Sequence, residues 1–213
     1  MSEEARRGWV ARELAEELPR LELLEAGLDV TPGPSPRAVR ERLDHLAGRI
    51  RGAGAVALRQ SPVPAAYRAF YRQVGLDPDR DPPPAEAAVL RRLLSGGFRS
   101  AGLVDDACTI AVVETGVPVW VLDDEALDGP LGIRPAAGDD ALGEGARALP
   151  VPAGRLVVAD ARRAVAELFG EPPPDVALGR RGRRARLFTV MVEGVPEIHA
   201  EEALWTCAEL LGT

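Results

Sequence analysis

The chain contains no lysine, so all 26 of its basic side chains are arginines. Arginine's planar fork suits phosphate and carboxylate alike. An all-arginine complement beside abundant Ala, Gly and Pro nevertheless reads as genome composition rather than selection for phosphate. Cysteine is scarce. Cys108 and Cys207 lie far apart in the sequence and suggest no disulfide framework or metal knot, so they read as two reduced, mostly buried thiols. Histidine is equally scarce, and a Ser-His or Cys-His nucleophilic pair would have to use His45 or His199. Cys108 with His199 is one such pair, and ordinary packing is the preferred reading of both. His45 sits among charged neighbours and reads as a surface residue. No G-x-S-x-G elbow, P-loop, HExxH or CxxC motif is present. Gly52-Ala53-Gly54 is a weak glycine cluster without the strand–turn–helix context of a dinucleotide site. No uncharged apolar run reaches the length of a membrane span. The charged N-terminus, Met1 to Arg7, leads into no apolar signal core. The expected location is the cytoplasm, without a membrane partner.

At 213 residues the chain fits one domain, or one domain with a helical extension, and can bury roughly 70% of its unfolded surface without needing a disulfide or metal staple. The net charge of −7 argues against nonspecific coating of nucleic acid. Charge is unevenly spread. Asp123, Asp124, Glu125, Asp128, Asp139, Asp140 and Glu144 make the middle acidic, and Arg180, Arg181, Arg183, Arg184 and Arg186 make one short stretch strongly basic. The acidic stretch fits no EF-hand loop and reads as a solvated face. Neither metal nor cofactor is expected.

Helical character is expected from about Glu3 to Leu18, stopped by Pro19. Leu21 to Val30 is ambiguous and admits a strand. Ser35-Pro36 opens a helix, with Ser35 as N-cap, and Val39, Leu43, Leu46 and Ile50 form its apolar face. Ser61-Pro62 opens another, running to Gly75. Ala85 to Leu94 and Asp105 to Thr115 are expected helices, closed by Gly96-Gly97 and Gly116. Pro118 to Leu122, Leu131 to Arg134, Arg155 to Ala159 and Leu187 to Val192 read as strands, and Ala200 to Leu211 as a closing helix. Glu171 to Asp175 is a proline-rich surface loop.

From about Tyr67 to Leu211 short motifs follow one another in a distinctive order. They are Tyr71 with Gly75-Leu76-Asp77-Pro78, Pro84-Ala85-Glu86-Ala87 with Leu90-Arg91-Arg92, and Leu103-Val104-Asp105. Then come Pro118 with Asp123, Gly129 with Ile133-Arg134, and Gly154 to Asp160. In order and spacing this part of the chain resembles the B3/B4 domain of the phenylalanyl-tRNA synthetase beta chain and its free-standing single-domain relatives. The resemblance implies an α+β fold, a B3/B4-type layered β structure flanked by helices, with an N-terminal helical extension. Residues 1–60 would form that extension and residues 61–213 the B3/B4-like domain, packed as one globular unit.

The resemblance further implies a trans-acting hydrolase of mischarged aminoacyl-tRNA, with tRNA or aminoacyl-tRNA as partner and no DNA. An aminoacyl ester is already activated, so a pocket that positions water against it suffices, and no triad is required. The implied pocket residues are Val104, Asp105, Ala107, Cys108, Trp120 and Asp123. Ala107 and Cys108 stand where the synthetase has a threonine–asparagine pair, and Trp120 where it has a histidine. Trp120 is open to two readings, pocket lining or core packing. Arg180, Arg181, Arg183, Arg184 and Arg186 fall on the family's arginine-bearing segment. They would hold RNA phosphate, or else pair with the acidic middle of the chain. The alternative functions are a tRNA-binding or aminoacyl-tRNA-binding module without hydrolysis, and a binder of a free amino acid or similar small molecule.

Overall fold

A computed structural model describes residues 4–50, 59–94 and 97–212 of the chain. In chain order the elements begin with β1 (Arg6–Arg7), β2 (Trp9–Val10), α1 (Arg12–Glu17), β3 (Glu22–Asp29), α2 (Arg37–Arg49) and α3 (Pro62–Gln73). They continue with α4 (Pro84–Leu94), α5 (Leu103–Thr115), β4 (Trp120–Asp123), β5 (Gly132–Pro135), β6 (Ala141–Leu142) and β7 (Leu149–Pro150). The last are β8 (Leu156–Ala159), β9 (Ala164–Glu167), β10 (Arg184–Met191) and α6 (Glu197–Leu211). The fold is α+β. One sheet has the order β1-β3-β10-β4 with every pairing antiparallel, and a second has the order β2-β5-β8-β9, in which only β2 and β5 run parallel. β6 and β7 form a small separate ribbon.

The long pair β3 and β10 is the middle of the first sheet, in register from Arg184 opposite Asp29 to Met191 opposite Glu22. Both strands are buried along most of their length because both faces are covered. α6 packs over β10 and β3 and against α5, while β3 also meets β2 and β5 of the second sheet. Among the fully buried side chains are Leu23, Leu187 and Phe188 from this pair and Ile110 from α5. Each contributes about 1.5–3 kcal/mol by leaving water.

The segment from Glu3 to Leu18 departs from its expected helix. Its described part makes two short strands and then α1. A two-residue strand carries no readable alternation, and its partners lie far along the chain, so tertiary pairing overrides the helical propensity of Ala, Arg, Glu and Leu. Gly8 is where the chain leaves one sheet for the other. Its N–H donates to the Leu23 carbonyl at 2.8 Å, and the next N–H, of Trp9, donates to the Leu131 carbonyl at 3.1 Å. A Cβ at Gly8 would lie 2.3 Å from the Leu131 carbonyl oxygen, so only glycine allows this crossing. Among the described residues of the 1–60 segment, α1 and α2 are helices, and the same segment supplies β3, an inner strand of the first sheet.

α2 starts at Arg37 after Pro36, and the Ser35 hydroxyl does not cap it. That hydroxyl donates instead to the buried Asp106 carboxylate at 2.6 Å. Val39, Leu43, Leu46 and Ile50 are buried, as their spacing requires. α5 is apolar almost all round because α2, α4 and α6 surround it, which offsets its β-branched content. Gly116, at φ 79°, ends it in the left-handed conformation. Gly52-Ala53-Gly54 lies outside the described residues, as does Gly96.

Candidate functional site

α5 presents its Val104–Asp105–Cys108 edge to a cavity of about 590 Å³. The opposite walls come from Pro118 to Val121, from Phe169, Glu171 and Pro172, from Ala177 and Leu178, and from the Pro84–Arg91 face of α4. This volume suits a small organic ligand. A second cavity of about 500 Å³ lies between α2 and Phe98 to Ser100, and it includes none of the residues expected from the sequence.

Val104, Asp105, Cys108 and Trp120 thus share one cavity. Ala107 does not join them. One residue before Cys108 on the helix, it is fully buried in the hydrophobic core. Asp123 is not a lining residue either. Its Oδ1 accepts from the Glu125 N–H at 3.2 Å and caps the short turn Asp124–Ala126.

Trp120 lies in the core and on the cavity wall at once. It stacks on Phe188 with centroids 5.2 Å apart and planes 12° apart, and it meets Phe169 at 6.0 Å. It is 8% exposed, and that remaining edge forms cavity wall. Phe169 has a φ of 65°, a strained conformation for a bulky residue that costs about 1–3 kcal/mol. Tyr67, Phe70 and Tyr71, at 5.6, 5.8 and 5.4 Å, hold its ring. Phe169 was not legible in the sequence, because a strained backbone has no local signature at a non-glycine residue.

Two adjacent aspartates divide the work at the start of α5. Asp106 is fully buried and accepts from Ser35, Ser100, the Ala101 N–H and Arg92. Burial alone would raise its pKa, but Ser100, Ser35, Ala101 and Arg92 outweigh that and hold it below the ordinary carboxylate value. Arg92 also reaches the Asp105 carbonyl at 3.3 Å and Thr109 Oγ1 at 2.8 Å, which fixes the helix turn that displays Asp105. The Asp105 side chain stays accessible from the cavity. Its pKa is raised, chiefly by desolvation against the cavity wall, with Arg92 and Arg91 pulling the other way. At the mouth Arg91 pairs with Glu171 at 3.1 Å, both well exposed, so the pair is weak and free to exchange for a ligand.

The arginine cluster splits in two. Arg186, on β10, is 11% exposed in its side chain and pairs with the fully buried Glu25 at 2.9 Å and with Asp124. Arg184 pairs with Asp124 at 3.0 Å and Asp29 at 3.7 Å. These two are structural, because β10 begins at Arg184 and carries them into the sheet. Arg180, Arg181 and Arg183 are exposed. They sit on a turn closed by the Gly182 N–H donating to the Gly179 carbonyl at 3.0 Å. The turn folds back on the cavity wall: a Cβ at Gly182 would lie 2.5 Å from Cδ1 of Leu178, a lining residue. Ala177 and Leu178 lead straight into the turn, so it borders the cavity.

Cys108 and His199 form no pair. The partner of Cys108 is Cys207, with sulfurs 4.0 Å apart, and His199 lies about 12 Å along α6 from Cys207. Among the described residues no group of three or more His, Cys, Asp or Glu side chains is arranged to hold a metal ion, and no helix is long and apolar enough to cross a membrane. No family model matches the chain, and a search of curated proteins finds no match.

Proposed function

We propose that this chain is a trans-acting hydrolase of mischarged aminoacyl-tRNA. The observation that carries this reading is the placement of exposed Arg180, Arg181 and Arg183 beside a cavity of about 590 Å³. An aminoacylated RNA end needs both parts together, a pocket for the aminoacyl group and cations for the flanking phosphates. In this reading the aminoacyl side chain rests against Trp120 and Phe169. Asp105, its basicity increased by desolvation, accepts a proton from water attacking the ester carbonyl. The Cys108 thiol forms cavity wall and is not needed as a nucleophile.

The test is incubation with a panel of mischarged tRNAs, following deacylation over time. Release of the amino acid from at least one pair, lost in Asp105→Asn, is the expected result. Ester bonds as long-lived as in buffer across the panel would exclude hydrolysis.

One observation favours a second reading, an aminoacyl-tRNA-binding module without hydrolysis. Trp120 and Cys108 line the cavity at the positions where the resemblance implies a histidine and an asparagine, and neither side chain supplies the polar group implied there. Retention of charged tRNA on the protein with its ester intact would select this reading.

A further inference from the structure

Cys108 and Cys207 lie 99 residues apart in sequence, on helices that pack face to face. Their sulfurs are 4.0 Å apart. Both are free thiols, and their exposures differ: Cys207 is fully buried, while Cys108 is partly exposed on the wall of the 590 Å³ cavity. A small solute entering the cavity meets Cys108 first and cannot reach Cys207 except past it. We propose that Cys108 is an oxidation site for peroxides and that Cys207 is its resolving partner, forming a reversible intramolecular disulfide behind the cavity wall.

The chemistry balances with a peroxide as the named oxidant. The Cys108 sulfur attacks the O–O bond of hydrogen peroxide, becoming a sulfenic acid as one water leaves. The Cys207 sulfur then attacks the Cys108 sulfur, the S–OH bond breaks, and the hydroxyl departs with the Cys207 proton as a second water. A disulfide needs a sulfur–sulfur distance of about 2.04 Å, so closure from 4.0 Å moves the sulfurs by roughly 2 Å in total. Rotation of the two side chains is the movement this closure calls for. The contact with Cys108, and burial after it, push the Cys207 thiol well above its ordinary pKa. Cys207 therefore stays protonated and inert until a sulfenic acid forms beside it. Closure draws the Cys108 sulfur away from the cavity and changes the wall that a ligand touches.

The test uses the full chain. It is treated with hydrogen peroxide, blocked with an alkylating agent, and digested without reductant. A cross-linked peptide pair carrying Cys108 and Cys207, within one chain and abolished by dithiothreitol, is expected. In Cys207→Ala the sulfenic acid has no partner and should accumulate, captured by a carbon-acid probe such as dimedone. Should Cys207→Ala fail to fold, cross-link mapping on the native chain decides alone. Two results would overturn the proposal: both thiols still alkylatable on unfolding after peroxide treatment, or native Cys108 advancing to the sulfinic acid without a disulfide. Neither readout depends on tRNA, so the proposal stands or falls separately from the hydrolase reading.

Discussion

Adjacent aspartates on one helix turn have opposite fates, and the difference is geometric. Asp106 points inward and meets four donors, whereas Asp105 points to the cavity. Removing the Asp106 carboxylate leaves Arg92 without its buried counter-charge, so Asp106→Ala should cost about 3–5 kcal/mol in chemical denaturation. Its linkage to pH has a definite sign. The folded pKa lies below the ordinary value of 3.8, so the stabilisation is complete above 3.8 and fades as pH falls through the lower, folded value. In the Asp106→Ala variant that part of the acid sensitivity should be missing. Asp105 has the opposite shift. If it is the base, the acid limb of the deacylation rate lies above 3.8, and Asp105→Asn loses roughly 10²-fold or more in rate while keeping its melting temperature. An unchanged rate in that variant would remove Asp105 from the mechanism. Trp120→Gly removes a stacked ring from a strand, and about 3–5 kcal/mol should be lost. The cavity grows at the same time, so the surviving folded protein should accept bulkier aminoacyl groups. A large stability loss with an unaltered substrate profile would make Trp120 a core residue alone.

At the scale of elements, legibility followed length and local pattern. α2, α3, α4, α5 and α6 each span three or more turns, with apolar spacing or a proline or glycine at an end, and the sequence showed all of them. β3 was ambiguous because burial on both faces erases alternation. β1, β2, β6 and β7 have two residues each and exist only through their partners, so no local signal marks them. The Arg180–Arg186 run shows a different limit. Sequence gives five arginines one character, while the start of β10 at Arg184 gives them two. Arg186 neutralises Glu25, whose other oxygen accepts from Arg6 at 2.9 Å. Arg186→Ala should therefore destabilise by about 3 kcal/mol, the lower end for a broken buried pair because Arg6 stays. Arg181→Ala should fall within about 0.5 kcal/mol of the parent, since its side chain is exposed. Thermal or urea unfolding of the two variants side by side checks this division.

For the molecule as a whole, the charge of −7 opposes RNA binding over most of the surface. A tRNA partner must then be met locally, at the rim beside the cavity, with few phosphate contacts. The cavity was legible in part: Val104, Asp105, Cys108 and Trp120 came together because two segments, the start of α5 and β4, flank it. Phe169, Arg91 and Glu171 were missed as lining residues, because they reach the cavity from a strained turn, from α4 and from a proline-rich loop that carry no shared motif. Few contacts predict modest affinity and a shallow salt dependence. Arg181→Ala with Arg183→Ala should weaken tRNA binding about equally for every tRNA tested and flatten the plot of log affinity against log salt by roughly one unit per lost phosphate contact. Melting temperature should not move, because both side chains are exposed and neither is paired among the described residues. Arg184→Ala serves as the contrast, since its guanidinium is held by Asp124 and Asp29 and should change the slope little. Equal slopes for the parent and the double variant would assign the turn to solvent. A parent that binds no tRNA at low salt would leave the cavity to a free small molecule.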